Sequence, residues 1–155
     1  MGNNNRNRNN GGGGNNNRQN QQQRPKPKRY KGKNVDPMSG PVQMGRYAGR
    51  LFIDMARGNF RLDTDGVHFQ NREFILAAIN EVEVRIVEQQ IYNTSLTYTY
   101  GGSNDVNVLR LMERHRRGLD AWMYVRETLI ALLNTGDMGL IIGLMSRLPD
   151  YRYCM

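Results

Sequence analysis

At 155 residues the chain has room for one domain, and its single cysteine, Cys154, excludes both an internal disulfide framework and a cysteine-based zinc site. The formal net charge of +8 and a pI near 10.0 point to an acidic partner, nucleic acid first and a membrane surface second. That charge is unevenly placed: residues 1–34 hold nine Lys or Arg and no acid, whereas residues 35–155 hold 13 Arg against 14 acids.

Residues 1–34 form an Asn/Gly/Gln/Arg/Lys-rich arm. Besides Met1, Tyr30 is its one apolar contributor. Such a segment buries too little surface to offset its ordering entropy, so the sequence predicts disorder. Its first part carries sparse Arg6, Arg8 and Arg18 among Asn, Gly and Gln, whose side chains bond to bases and phosphates without sequence demand. Its second part is denser, with Arg24, Lys26, Lys28, Arg29, Lys31 and Lys33 kept extended by Pro25 and Pro27. Tyr30, flanked by cations, has the setting in which a ring stacks on an unpaired base while its neighbours hold phosphate. The competing reading of residues 24–33 is a nuclear localisation signal or a solubilising linker.

No apolar h-region marks a signal peptide in the first 20 residues, and the apolar stretch near Met138–Met145 is too short to span a bilayer. Met1-Gly2 invites a myristoylation reading, but Arg6 stands where that motif needs Ser or Thr. Secretion and membrane contact are therefore not expected.

Residues 35–50 read as a linker, because Pro37, Gly40, Pro41, Gly45 and Gly49 interrupt regular structure. A globular oligomerisation domain is expected over residues 51–155. Leu51–Met55 predicts one or two helical turns. Phe60-Arg-Leu62 and Val67-His-Phe69 alternate around Asp65-Gly66, the pattern of a β-hairpin with its four apolar residues on one face.

Asn71 is a candidate helix cap. From there Ile75, Ile79, Val82 and Ile86 recur at helical spacing to about Gln90, with Ala78, Val84 and Val87 broadening the stripe. Thr94–Tyr100 alternates Leu96, Tyr98 and Tyr100 with hydroxyl residues, which predicts a strand ended by Gly101-Gly102. A long helix follows from Asn104 or Asp105 to about Asn134, with Gly118 marking a kink or a close helix crossing. A last helix runs from Asp137 to about Leu148, stopped by Pro149.

The expected fold class is α+β and mostly helical. A disordered basic arm precedes a small helix-rich domain with a β-hairpin and one further strand. A strand with no obvious partner other than the hairpin, or its own copy in a second subunit, suggests dimerisation.

The sequence holds no constellation of catalytic residues. His68 and His115 are the two histidines, and no metal-ligand spacing, nucleophile elbow or Walker loop is present. The Gly11–Gly14 run lacks the strand and helix of a phosphate-binding turn, and Asp63 and Asp65 lack the rest of a calcium loop. No enzyme activity, small-molecule substrate, cofactor or metal is expected. The strongest candidates in the body are Arg110, Arg114 and Arg117, whose spacing of four and three places them on one helix face as a second phosphate-binding stripe. The competing reading is a salt-bridged exposed face. Arg46, Arg50 and Arg57 repeat the idea more weakly.

The small size and the opening NNNRNRNN…NNNRQNQQQRPKPKR resemble viral nucleocapsid or core proteins, and among them the small nidovirus nucleoproteins. The resemblance covers architecture and arm composition. It implies an RNA-packaging protein with genomic RNA as ligand, a homodimer as building block, and the virion and host cytoplasm as location. Nucleic acid is thus the expected partner, RNA ahead of DNA, together with further copies of the chain. The alternative is a cellular RNA- or DNA-binding protein, chromatin- or RNP-associated, with a protein-interaction body.

Overall fold

In the computed structural model the chain divides into two units, residues 1–34 and 35–155. The structure describes Gly2, Asp36 and residues 38–155, and the fold set out below belongs to the second unit. Its elements are α1 (Pro41–Arg57), a 3₁₀ turn (Gly66–Gln70), α2 (Arg72–Tyr100), α3 (Val106–Thr135), α4 (Gly139–Arg147) and a closing 3₁₀ turn (Leu148–Tyr151). No strand occurs among the described residues, so the fold is all-helical and the expected α+β class is corrected.

α1 covers most of the segment read as a linker. Pro41 stands in its first turn, where a missing N–H costs nothing. Gly45 and Gly49 act as contact surface. A Cβ at Gly45 would lie 3.1 Å from the Ala77 carbonyl oxygen, and one at Gly49 would lie 2.7 Å from the Arg85 guanidinium. One turn apart, they let α1 press closely onto α2. Gly58 ends the helix with φ of 77°, a left-handed residue whose N–H bonds back to the Met55 carbonyl at 3.1 Å.

The hairpin expected over Phe60–Phe69 is instead a turn followed by the first 3₁₀ turn. An Asp-Gly hairpin turn needs positive φ at both residues. Asp65 has φ of −86°, and its carboxylate accepts from the Arg61 N–H at 2.9 Å, closing a local loop. Phe60 and Phe69 still reach the core, while Leu62 and Val67 are exposed.

α2 starts on a made cap, the Asn71 side chain accepting from the Glu73 N–H at 2.9 Å and from Phe74 N–H at 3.5 Å. It does not stop near Gln90. The predicted strand Thr94–Tyr100 is its last two turns, where the Thr94 and Thr97 hydroxyls donate to the carbonyls of Gln90 and Asn93 at 2.9 and 3.0 Å. Back-bonded to the preceding turn, these threonines cost the helix little.

α3 begins at Asp105, whose carboxylate accepts from the Asn107 N–H at 2.8 Å, and ends at Gly136 with φ of 67°. The Asp137 carboxylate then accepts from the Gly139 N–H at 2.8 Å, leading into α4.

The core lies among α1, the first half of α2, the second half of α3, and α4. Phe52, Phe69, Phe74, Val125, Leu129 and Ile141 are its fully buried centre. Phe69 meets Phe74 edge-on at 5.3 Å and Phe52 at 5.6 Å between ring centroids.

α2 and α3 run past this core as an antiparallel helical hairpin. Along residues 87–117 Leu96 is the one buried side chain. Eight of the sixteen large apolar residues exposed in the described chain lie there, so this projection is far more apolar outside than the rest of the body.

Candidate nucleic-acid interface

The arm residues Arg6, Arg8, Arg18, Arg24, Lys26, Lys28, Arg29, Tyr30, Lys31 and Lys33 lie outside the described residues. Arg110, Arg114 and Arg117 stand on the first half of α3, and all three are exposed.

Two of the three are engaged by the end of the chain. Arg114 Nε donates to the Tyr153 carbonyl, and Arg117 donates to the Asp150 carbonyl at 3.0 Å. The Arg117 guanidinium also sits 5.3 Å from the centre of the Tyr151 ring. Gly118 completes the latch: a Cβ there would run into the Cys154 carbonyl oxygen, so only glycine lets the C-terminal segment lie so close to α3. The kink or close helix crossing expected at Gly118 is instead a contact with the chain's last, non-helical residues.

Arg110 makes no ion pair among the described residues. Arg116, on a different face, binds Glu113 with two hydrogen bonds of 2.6 and 3.0 Å and reaches Asp120 at 3.7 Å. The hydrogen bond from Arg116 holds the Glu113 carboxyl below its ordinary range. The α3 face therefore presents its cations already tied to neighbouring groups, Arg110 excepted.

α1 carries a second stripe, Arg46, Arg50 and Arg57, all exposed and at spacings of four and seven on one face. Only Arg50 has an acidic neighbour, Asp54, at the outer limit of 4.0 Å.

His115 belongs to a polar bridge across the hairpin. Gln89 Nε2 donates to His115 Nδ1 at 3.2 Å and to Asn93 Oδ1 at 3.0 Å, and Asn93 Nδ2 donates to the His115 carbonyl at 3.3 Å. The Tyr92 ring meets the imidazole edge-on at 4.5 Å. Burial, and secondarily Arg114, lowers the His115 pKa from its ordinary value of 6.5. A neutral imidazole accepting at Nδ1 is what this bridge requires. Gln89, Tyr92 and His115 border a cleft of about 430 Å³ that also meets Trp122 and Cys154. His68 sits between the Tyr47 and Phe74 rings at 5.2 and 5.3 Å. Among the described residues no group of three or more metal-ligating side chains is assembled, and no helix is long and apolar enough to cross a membrane.

No family model, curated protein or solved structure matches this chain.

Sequence reasoning missed two features. Gly45 and Gly49 read as breakers, although their spacing of four is that of a helix contact face. Val84 and Val87 were expected to broaden the buried stripe of α2, yet both are exposed on its opposite side.

Proposed function

We propose that this chain is a nucleocapsid-type packaging protein. The basic arm binds single-stranded RNA through its phosphates, and the helical body associates with further copies of itself. The observation that carries this reading is the division of charge: +9 over residues 1–34 against −1 over residues 35–155. A nearly neutral body approaches its own copies without strong repulsion, while a concentrated cationic arm neutralises a polyanion by counterion release.

Two further observations support it. The body's own basic stripe on α3 is largely committed to holding the C-terminal segment, Arg114 and Arg117 donating to its carbonyls. The projecting hairpin exposes the apolar surface that self-association needs. Weak contacts from each arm then add up to high avidity once several bodies are joined.

The test is the salt dependence of binding to unstructured single-stranded RNA. Six cations lie between Arg24 and Lys33. Replacing all six with Gln should reduce the slope of log K against log salt by about 4. A slope unchanged by those replacements refutes the assignment of binding to the arm.

A further inference from the structure

α2 carries two apolar seams. The inner one, Ile75, Ala78, Val82, Ile86 and Leu96, is buried. The outer one is Val84, Val87, Ile91 and Tyr98, between 53% and 93% exposed, at spacings of three, four and seven. At about 100° per residue the two seams lie on opposite sides of the helix. A soluble helix that is apolar on both sides is one buried on both sides. The outer spacing, with Thr94 filling the gap, is the a/d repeat of a two-helix seam.

The residues flanking the outer seam indicate what covers it. Glu83 and Glu88 flank its first half, whereas Ser95, Thr97 and Thr99 flank its second. Parallel pairing of two copies would set Glu83 and Glu88 against their equivalents. Antiparallel pairing centred on Ile91 sets each acidic half against the partner's hydroxyl half. It also sets small against large, Val84 opposite Tyr98, with Ile91 meeting Ile91 on the axis. Such a contact is self-complementary and closes as a two-fold dimer. The hairpin needs such cover, because a two-helix projection with Leu96 as its one buried residue is marginal alone.

We propose that the outer seam of α2 is the homodimer interface, formed by antiparallel α2–α2 packing about Ile91 of a second copy. This deepens the packaging reading by naming its self-association surface. It is tested without nucleic acid, so that failure of the interface and failure of RNA binding are separate results.

The full chain should sediment at twice its 17.9 kDa mass at micromolar concentration. Ile91→Glu places two facing carboxylates on the axis and should weaken the dimer at least ~100-fold. Since Ile91 is 63% exposed in the single chain, helical circular dichroism should be unchanged. In a Cys154→Ser background, Val84→Cys mixed with Tyr98→Cys should form a disulfide-linked heterodimer, and neither alone should cross-link. A monomeric wild-type chain, or a dimer untouched by Ile91→Glu, overturns the interface. Cross-linking of Val84→Cys with itself overturns the antiparallel arrangement. A different occupant of the seam would show as a wild-type monomer.

Discussion

Alanine in place of a mid-helix glycine ordinarily stabilises a helix by about 1 kcal/mol. At Gly118 the sign should reverse. The added Cβ meets the backbone oxygen of Cys154, which no side-chain rotation can relieve, so the C-terminal segment must lift from α3. Lifting breaks the bonds from Arg114 and Arg117 to the carbonyls of Tyr153 and Asp150. At exposed positions these contribute about 0.5 kcal/mol each. It also separates Arg117 from the Tyr151 ring, about 0.5–1 kcal/mol. Met155 packs against the core, and its partial withdrawal costs about 1 kcal/mol more. Set against the propensity gain, Gly118→Ala should be destabilising by about 1.5 kcal/mol. In urea, with a slope of about 2 kcal/mol per M, the unfolding midpoint should fall by about 0.7 M at constant slope. Removing residues 152–155 removes the obstacle, so within that shortened background the same substitution should stabilise. A stabilising Gly118→Ala in the full chain would refute the latch.

Three further outcomes follow from the packing. His115 must be neutral to accept from Gln89, and its pKa is depressed below 6.5. Its contribution is therefore complete above pH 6.5 and lost as pH falls through the depressed value. The groups facing it are Gln89, Tyr92, Asn93 and Arg114, so His115→Asn should flatten the dependence of thermal midpoint on pH between 7 and 5. Asn71→Ala removes the cap on α2 and should cost about 1 kcal/mol in denaturant unfolding. Phe74→Ala empties a fully buried site between Phe69, His68 and Tyr47, and should cost about 3–5 kcal/mol with loss of near-ultraviolet circular dichroism.

The helices were legible where a 3.6-residue period and a cap agree. Asn71 and Asp105 mark their helix starts, and Ile75, Val82 and Ile86 mark the buried side of α2. The strand reading failed at Thr94–Tyr100 because alternation over seven residues also fits a helix end. There Leu96 faces inward, and Tyr98, 93% exposed, faces out. Local hydroxyl bonds to the preceding turn then leave nothing for a sheet to supply. The hairpin reading failed because Asp-Gly also closes tight right-handed turns, here secured by the Asp65 carboxylate. Gly45 and Gly49 look like breakers and Gly118 like a kink or a helix crossing in a single sequence, since only a facing α2 or C-terminal segment turns a missing side chain into a contact. The spacing of Arg110, Arg114 and Arg117 was legible, but their engagement by carbonyls more than thirty residues away was not.

Arm and body are proposed to act together in packaging a polyanion. Light scattering of the full chain with unstructured single-stranded RNA tests it most directly. Large uniform particles holding many chains are expected, absent when the cations of Arg24–Lys33 are replaced and giving way to small complexes in Ile91→Glu. A monodisperse one-to-one complex of chain and RNA would contradict it.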